Sequence, residues 1–132
     1  MLYVESSALV KRYITERDSD IAIRFMDAEP LLFTSRLTEI EVRRNLARLI
    51  GGRDLLTKRQ EFQDDLAAFE IVELDDTAFD DAGRIAEDTL CRSLDALHLA
   101  AARRASPSAT VLTFDQRQAR AARAIGLAVI GA

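Results

Sequence analysis

MLYVESSALVKRY, residues 1–13, is the stretch whose reading decides the fold. Leu2, Tyr3 and Val4 form an apolar triplet short enough for the first strand of a buried sheet. Glu5 follows at once, then Ser6 and Ser7, then an apolar run at helical spacing made by Ala8, Leu9 and Tyr13. A serine hydroxyl satisfies the free N–H groups of a first helical turn, so the expected cap is Ser6 or Ser7. The stretch reads as strand, carboxylate, cap, helix. In an open α/β sheet, ligands bind beyond the carboxyl ends of the strands, which is where Glu5 would emerge. An acid before a helix also serves as a simple partner for the helix dipole, so Glu5 alone does not decide between the two roles.

Outward from this stretch the chain alternates. Asp18 or Ser19 opens a short helix with Ile21, Phe25 and Met26 facing inward, and Glu29-Pro30 breaks it. Leu31–Thr34 reads as a second strand and Ser35–Ile50 as a helix stopped by Gly51-Gly52. A helix over Leu55–Phe69, a strand over Ile71–Leu74 and a helix from Asp75-Asp76 to Thr89 follow. Ser93 caps the next helix, which ends at Ser106-Pro107-Ser108. Val111–Phe114 is a fourth strand, Asp115 leads into a helix running to Ile125, and Leu127–Ile130 is a short last strand. Strands alternating with helices imply a parallel sheet with right-handed crossovers. No repeat, linker or low-complexity tract interrupts the chain, so residues 1–132 read as a single α/β domain.

Composition narrows the function classes. The chain is 48% hydrophobic and 30% charged, the balance of a soluble globular protein. No apolar run approaches the roughly 20 residues that cross a bilayer, and no signal-peptide pattern opens the chain, so no membrane role and a cytoplasmic location are expected. Cys91 stands alone, which excludes a disulfide framework and a cysteine metal cluster. With no tryptophan, six phenylalanines and two tyrosines, stacking of bases on aromatic rings is not the main binding mode. The net charge of −4 argues against a nucleic-acid partner, but all basic residues except Lys11 and Lys58 are arginines, whose planar fork suits phosphate.

Two further acids stand where acids are costly. On the helix from Ser93, Leu94, Leu97, Leu99, Ala101 and Ala102 define the apolar arc at about 100° per residue, and Asp95 lies inside it. A buried carboxylate needs an ion pair, hydrogen bonds or a metal. His98, one turn on, shares that arc and reads first as a satisfied core histidine. Asp115 ends an apolar strand and precedes a helix, repeating the placement of Glu5. The helix after strand two offers Glu39 and Glu41, and its helical wheel does not choose between them. Converging carboxylates raise one another's pKa values unless a cation joins them. Oxygen ligands without cysteine suit Mg²⁺ or Mn²⁺, which activates water and neutralises phosphoryl charge. If Glu5, Asp95, Asp115 and one of Glu39 and Glu41 converge, the chemistry they assemble is metal-assisted hydrolysis of a phosphodiester.

Four segments in order resemble PIN-domain proteins, specifically the VapC-type toxins of bacterial toxin–antitoxin pairs: Tyr3–Tyr13 (YVESSALVKRY), Ser35–Leu46 (SRLTEIEVRRNL), Ser93–Ala100 (SLDALHLA) and Thr113–Leu127 (TFDQRQARAARAIGL). The resemblance implies a PIN-like three-layer α/β/α sandwich with a short parallel sheet of four to five strands. It carries the family's acidic site onto Glu5, Glu41, Asp95 and Asp115, the register selecting Glu41 over Glu39. Ser7 and Thr113 match small hydroxyl residues that line the site. It further implies a Mg²⁺- or Mn²⁺-dependent endoribonuclease, homodimeric and held inactive by a cognate VapB-type antitoxin. In this reading Glu5 and Asp95 ligate the ion most directly.

One position departs from the family, whose first acid is nearly always Asp where this chain has Glu5. Misplacing a catalytic group by about 1 Å costs on the order of 100-fold in rate. A tolerated variant, an attenuated enzyme and an altered sequence each fit that departure. The alternative function is therefore a catalytically weakened PIN-fold binding module acting through antitoxin or RNA. A phospho-accepting receiver domain also sets acids at strand ends but needs a late lysine, and none follows Lys58. A strand-end residue beside an open crevice packs little, so substitution of Glu5 is expected to change stability by no more than about 1 kcal/mol.

Overall fold

The computed structural model describes residues 1–132. Five strands, β1 (Leu2–Val4), β2 (Leu32–Ser35), β3 (Glu70–Val72), β4 (Thr110–Thr113) and β5 (Ala128–Gly131), form one sheet in the order β3-β2-β1-β4-β5. Every pairing is parallel. β1 is the central strand, which accounts for its unbroken apolar sequence: Leu2, Tyr3 and Val4 are all buried.

Seven helices cover the two faces: α1 (Ser6–Leu9, extended by a 3-10 turn over Val10–Arg12), α2 (Ser19–Ala28), α3 (Arg36–Leu49), α4 (Gly52–Leu66), α5 (Asp76–Thr89), α6 (Ser93–Ala105) and α7 (Gln116–Ala124). Alternation along β1 divides the core. Tyr3 points to a cluster with Ile85, Leu99, Val111 and Ala122, on the side of α5, α6 and α7. Leu2 and Val4 point to a second cluster with Leu9, Met26, Val42, Leu46 and Phe62, on the side of α1 to α4. The result is the three-layer α/β/α sandwich expected, with the sheet at the upper end of the expected strand number. The alanines of α6 at 100, 101 and 102 are all buried, letting that helix lie close to the sheet.

Several local expectations change. Glu5 itself is the N-cap of α1, accepting a hydrogen bond from the Ser7 N–H, so neither serine is the cap. Ile21 and Leu94 are exposed, because the inward line of α2 runs through Ala22 and Met26 and that of α6 through Asp95 and Leu99. α4 begins at Gly52 rather than Leu55, directly after the glycine stop of α3, and β3 spans Glu70–Val72. α6 has no side-chain cap at its N-terminus, and Ser93 is its first helical residue.

Candidate active site

The parallel order sends the carboxyl ends of β1, β2 and β4 to the same edge of the sheet, so residues that follow those strands meet. Glu5 follows β1, Asp115 follows β4, Glu41 comes from the second turn of α3 and Asp95 from the first turn of α6. All four line one cavity of about 380 Å³, together with Ser7, Asn45 and Arg92. Glu39 lies elsewhere on α3 and pairs with Arg36 at 3.4 Å. Ser7 lines the cavity, whereas Thr113 is fully buried beneath it and acts on Glu5 from below.

Glu5 is the most heavily bonded of the acids. Its Oε1 accepts from the Ser6 hydroxyl at 2.6 Å. Its Oε2 accepts from the Ser7 N–H at 3.0 Å, the Ser7 hydroxyl at 2.5 Å and the Thr113 hydroxyl at 3.0 Å. The Ser7 and Thr113 oxygens in turn accept from the Phe114 and Asp115 N–H groups, tying β1 to the end of β4. With 5% of its surface exposed, Glu5 is a buried, bonded carboxylate and not a loosely held strand-end residue. That bonding argues for a cost above the expected limit of about 1 kcal/mol when Glu5 loses its charge, because each of these donors then loses its charged partner.

Glu41 is fixed from the other side of the cavity. His98 Nε2 lies 2.5 Å from Glu41 Oε1, and His98 Nδ1 lies 2.9 Å from the Tyr3 hydroxyl. Tyr3 donates to the Ser35 hydroxyl at 2.9 Å, which leaves its oxygen free to accept from Nδ1–H. Both ring nitrogens then donate, the arrangement of an imidazolium. Burial opposes that charge, but the contact with Tyr3, the Glu41 hydrogen bond and the charges of Glu5 and Glu41 outweigh it and push the His98 pKa up to about 10. His98 is thus a satisfied core histidine, as its face predicted, and its satisfaction consists in holding a carboxylate of the site.

Asp95 and Asp115 share a cation that the sequence reading did not single out. Arg92 Nε is 3.1 Å from Asp95 Oδ2, and its guanidinium is 3.4 Å from Asp115 Oδ2. Asp115 Oδ1 meanwhile caps α7 by accepting from the Arg117 and Gln118 N–H groups. Burial pushes the Asp95 pKa up, against the lowering by Arg92, and the charges of Asp115 and Glu5 add to the rise. The only available signal for Arg92 was an arginine just before a helix that carries a misplaced acid, too common a pattern to single it out.

The donor set suits a hard divalent cation. Potential ligand atoms of Glu5, Glu41 and His98 all lie within 4.8 Å of one another. Asp95, the expected partner of Glu5, is outside that closest group and is turned to Arg92. A guanidinium standing between two carboxylates shows that this edge calls for positive charge. The His98 nitrogen is already committed to Glu41, which leaves carboxylate oxygens as the free donors, the preference of Mg²⁺ and Mn²⁺.

Comparison with known proteins agrees with this architecture. Residues 2–124 match the PIN domain family. The chain is 36% identical over 135 residues to ribonuclease VapC35 of Mycobacterium tuberculosis, covering 98% of this chain and 96% of that protein. FitAcB from Neisseria gonorrhoeae superposes with a TM-score of 0.80 at 21% identity, covering 98% of this chain and 96% of the other. A toxin–antitoxin complex from Klebsiella pneumoniae superposes with a TM-score of 0.75 at 15% identity, covering 98% and 96%. The four acids at one sheet edge, the five-stranded parallel order and these likenesses agree: the chain belongs to the PIN-domain family and, within it, to the VapC proteins.

Proposed function

We propose that this chain is a divalent-metal-dependent endoribonuclease, the toxin of a type II toxin–antitoxin pair, hydrolysing RNA phosphodiester bonds. The observation that carries the reading is the convergence of Glu5, Glu41, Asp95 and Asp115 on one cavity, with Arg92 supplying counter-charge. The relative named as a ribonuclease supports the activity, and the fold shared with a toxin–antitoxin complex supports a cognate VapB-type antitoxin as partner.

Glu5 and Asp95 would hold Mg²⁺ or Mn²⁺, with Glu41 alongside. The bound ion would supply acidified water and charge neutralisation at the phosphoryl group. Glu41, steadied by His98, and Asp115, steadied by the first turn of α7, orient the attacking water. Ser7 and Thr113 hold the Glu5 carboxylate in one orientation through their hydroxyl hydrogen bonds. Arg92, paired with both Asp95 and Asp115, supplies positive charge at the rim of the cavity, and its planar fork suits an RNA phosphate.

The deciding experiment incubates the purified chain with end-labelled RNA and Mg²⁺ or Mn²⁺. We expect internal cleavage that EDTA abolishes. Binding of RNA without cleavage under any metal would favour a catalytically silent binding module instead. We assign the activity to the cytoplasm, where its RNA substrate resides; no helix is long and apolar enough to cross a membrane. We further propose that the single domain acts as a homodimer, so light scattering at micromolar concentration should give about twice 14.7 kDa. A species of 14.7 kDa alone would refute the dimer.

A further inference from the structure

Beside the acidic cavity lies a larger one of about 600 Å³, walled by the end of α5, the 90–92 link, the first turn of α6 and the outer face of α7. Arg92 and Asp95 line both cavities, so the two adjoin at these residues. Arg117 and Arg120, three residues apart, present their guanidinium groups from one face of α7. Neither is in an ion pair, unlike Arg12, Arg36, Arg92, Arg103 and Arg104. The carboxylates on these walls are Asp88 and Asp95, the second already neutralised by Arg92. In a chain of net charge −4, three arginines around one cavity are a local reversal of sign.

The rim of this cavity carries an independent anomaly. Leu90 is 86% exposed, the most exposed of the large hydrophobic side chains. Its backbone is left-handed, with φ of 57°, where glycine or asparagine normally closes a helix. A leucine held there meets a conformational cost without any burial in return, which points to use in binding. An apolar surface next to three guanidinium groups matches a nucleotide: base and sugar on one side, phosphate on the other.

We propose that this arginine-lined cavity is the seat of the RNA strand on one side of the scissile bond, with Arg117 and Arg120 holding successive phosphates and Leu90 lying against a nucleobase. The proposal rests on the ribonuclease reading and adds the path of the substrate to it. An acidic peptide would also meet three arginines. RNA is favoured because the cavity adjoins the carboxylates that a strand being cut must cross, sharing Asp95 with them, and because guanidinium forks match phosphate oxygens bidentately.

The test is fluorescence anisotropy of a labelled oligoribonucleotide in EDTA, where nothing is cleaved, titrated across KCl concentrations. The proteins are the parent, R117Q/R120Q and a control R24Q/R84Q, whose exposed arginines on α2 and α5 are likewise outside any ion pair. Losing two phosphate contacts should shrink the slope of log affinity against log salt by about 1.4, at roughly 0.7 per contact on a single strand. The control pair should keep the parent slope. L90G should weaken RNA binding while raising the melting temperature, because glycine suits the left-handed position. In Mg²⁺, R117Q/R120Q should raise KM for the same RNA by a larger factor than it lowers kcat.

An unchanged slope in R117Q/R120Q overturns the proposal, as does an equal loss in R24Q/R84Q. So does a variant that keeps RNA but loses a polyglutamate peptide, since the occupant would then be an acidic protein. A parent that cleaves no RNA, yet binds it through Arg117 and Arg120, would sink the ribonuclease reading and leave this site standing.

Discussion

Glu5→Gln separates the bonding that Glu5 provides from the catalytic role proposed for it. The carboxylate accepts four hydrogen bonds, from the Ser6 hydroxyl, the Ser7 N–H, the Ser7 hydroxyl and the Thr113 hydroxyl. An amide offers a single oxygen. Placed where Oε2 stands, that oxygen keeps three donors, while the new NH₂ group faces Ser6, whose hydroxyl must turn to accept. The retained bonds fall from charge-assisted to neutral strength, a loss of about 1 kcal/mol each and roughly 3–4 kcal/mol in all. Against this, the variant no longer buries a charge near Asp95 and Asp115, which returns part of the loss. The net expectation is destabilisation by about 2 kcal/mol, or roughly 8 °C in melting temperature for a chain of this size. Urea denaturation in EDTA reads the structural job without interference from metal. Cleavage of one RNA at saturating Mn²⁺ reads the chemical job, which Glu5→Gln should abolish. Glu5→Asp keeps the charge and should cut RNA as well as the parent or better. A Gln variant within about 0.5 kcal/mol of the parent would refute the bonding argument, and one that cleaves equally would remove Glu5 from the chemistry.

Two further outcomes follow from individual residues. Millimolar Mn²⁺ or Mg²⁺ should raise the melting temperature of the parent, by about 2.7 kcal/mol of stability at a hundredfold excess over Kd. Asp95→Asn should lose most of that gain while melting no lower than the parent in EDTA, since it removes a carboxylate whose pKa burial has raised; indifference to metal in both proteins would refute the four-acid site. Tyr13 donates to Asp65 at 2.8 Å, and burial, then that hydrogen bond and the charge of Asp65, push its pKa up. A group with a raised folded pKa contributes fully below its unfolded value, about 10 for tyrosine, and its contribution is lost as pH rises beyond that. The urea midpoint of the parent should therefore fall above about pH 10 more steeply than that of Tyr13→Phe, which keeps the edge contact with Phe62 and has no phenol to titrate.

What sequence could and could not reveal follows from the range of each interaction. The strand ends, and hence Glu5 and Asp115, are readable because apolar runs and caps are local patterns. The burial of Asp95 and His98 is readable because a helical face is periodic, although the same periodicity put Leu94 inside when it lies at the exposed start of α6. Glu41 could not be told from Glu39 by periodicity, since Ile40 is exposed and α3 lacks a clean apolar stripe; only the family register chose between them. The bonds that give the site its character are long-range. Tyr3 to His98 spans 95 residues and Glu5 to Thr113 spans 108, and no local pattern announces either. Arg92 was hidden for a different reason, because its role depends on two acids, one at the start of α6 and one just after β4, that only the folded sheet edge brings together.

The central position of β1 has a consequence for how the molecule is born. The strand made first pairs on one side with β2 and on the other with β4, whose register aligns Val4 with Leu112. On a ribosome, the amino-terminal strand must wait for nearly the whole chain before its second edge is covered, and contacts of such sequence separation form slowly. Until then the carboxylate after that strand lacks the Thr113 hydroxyl, and the last acid has not taken its place at the sheet edge. The four acids therefore come together at one sheet edge only when synthesis is nearly complete.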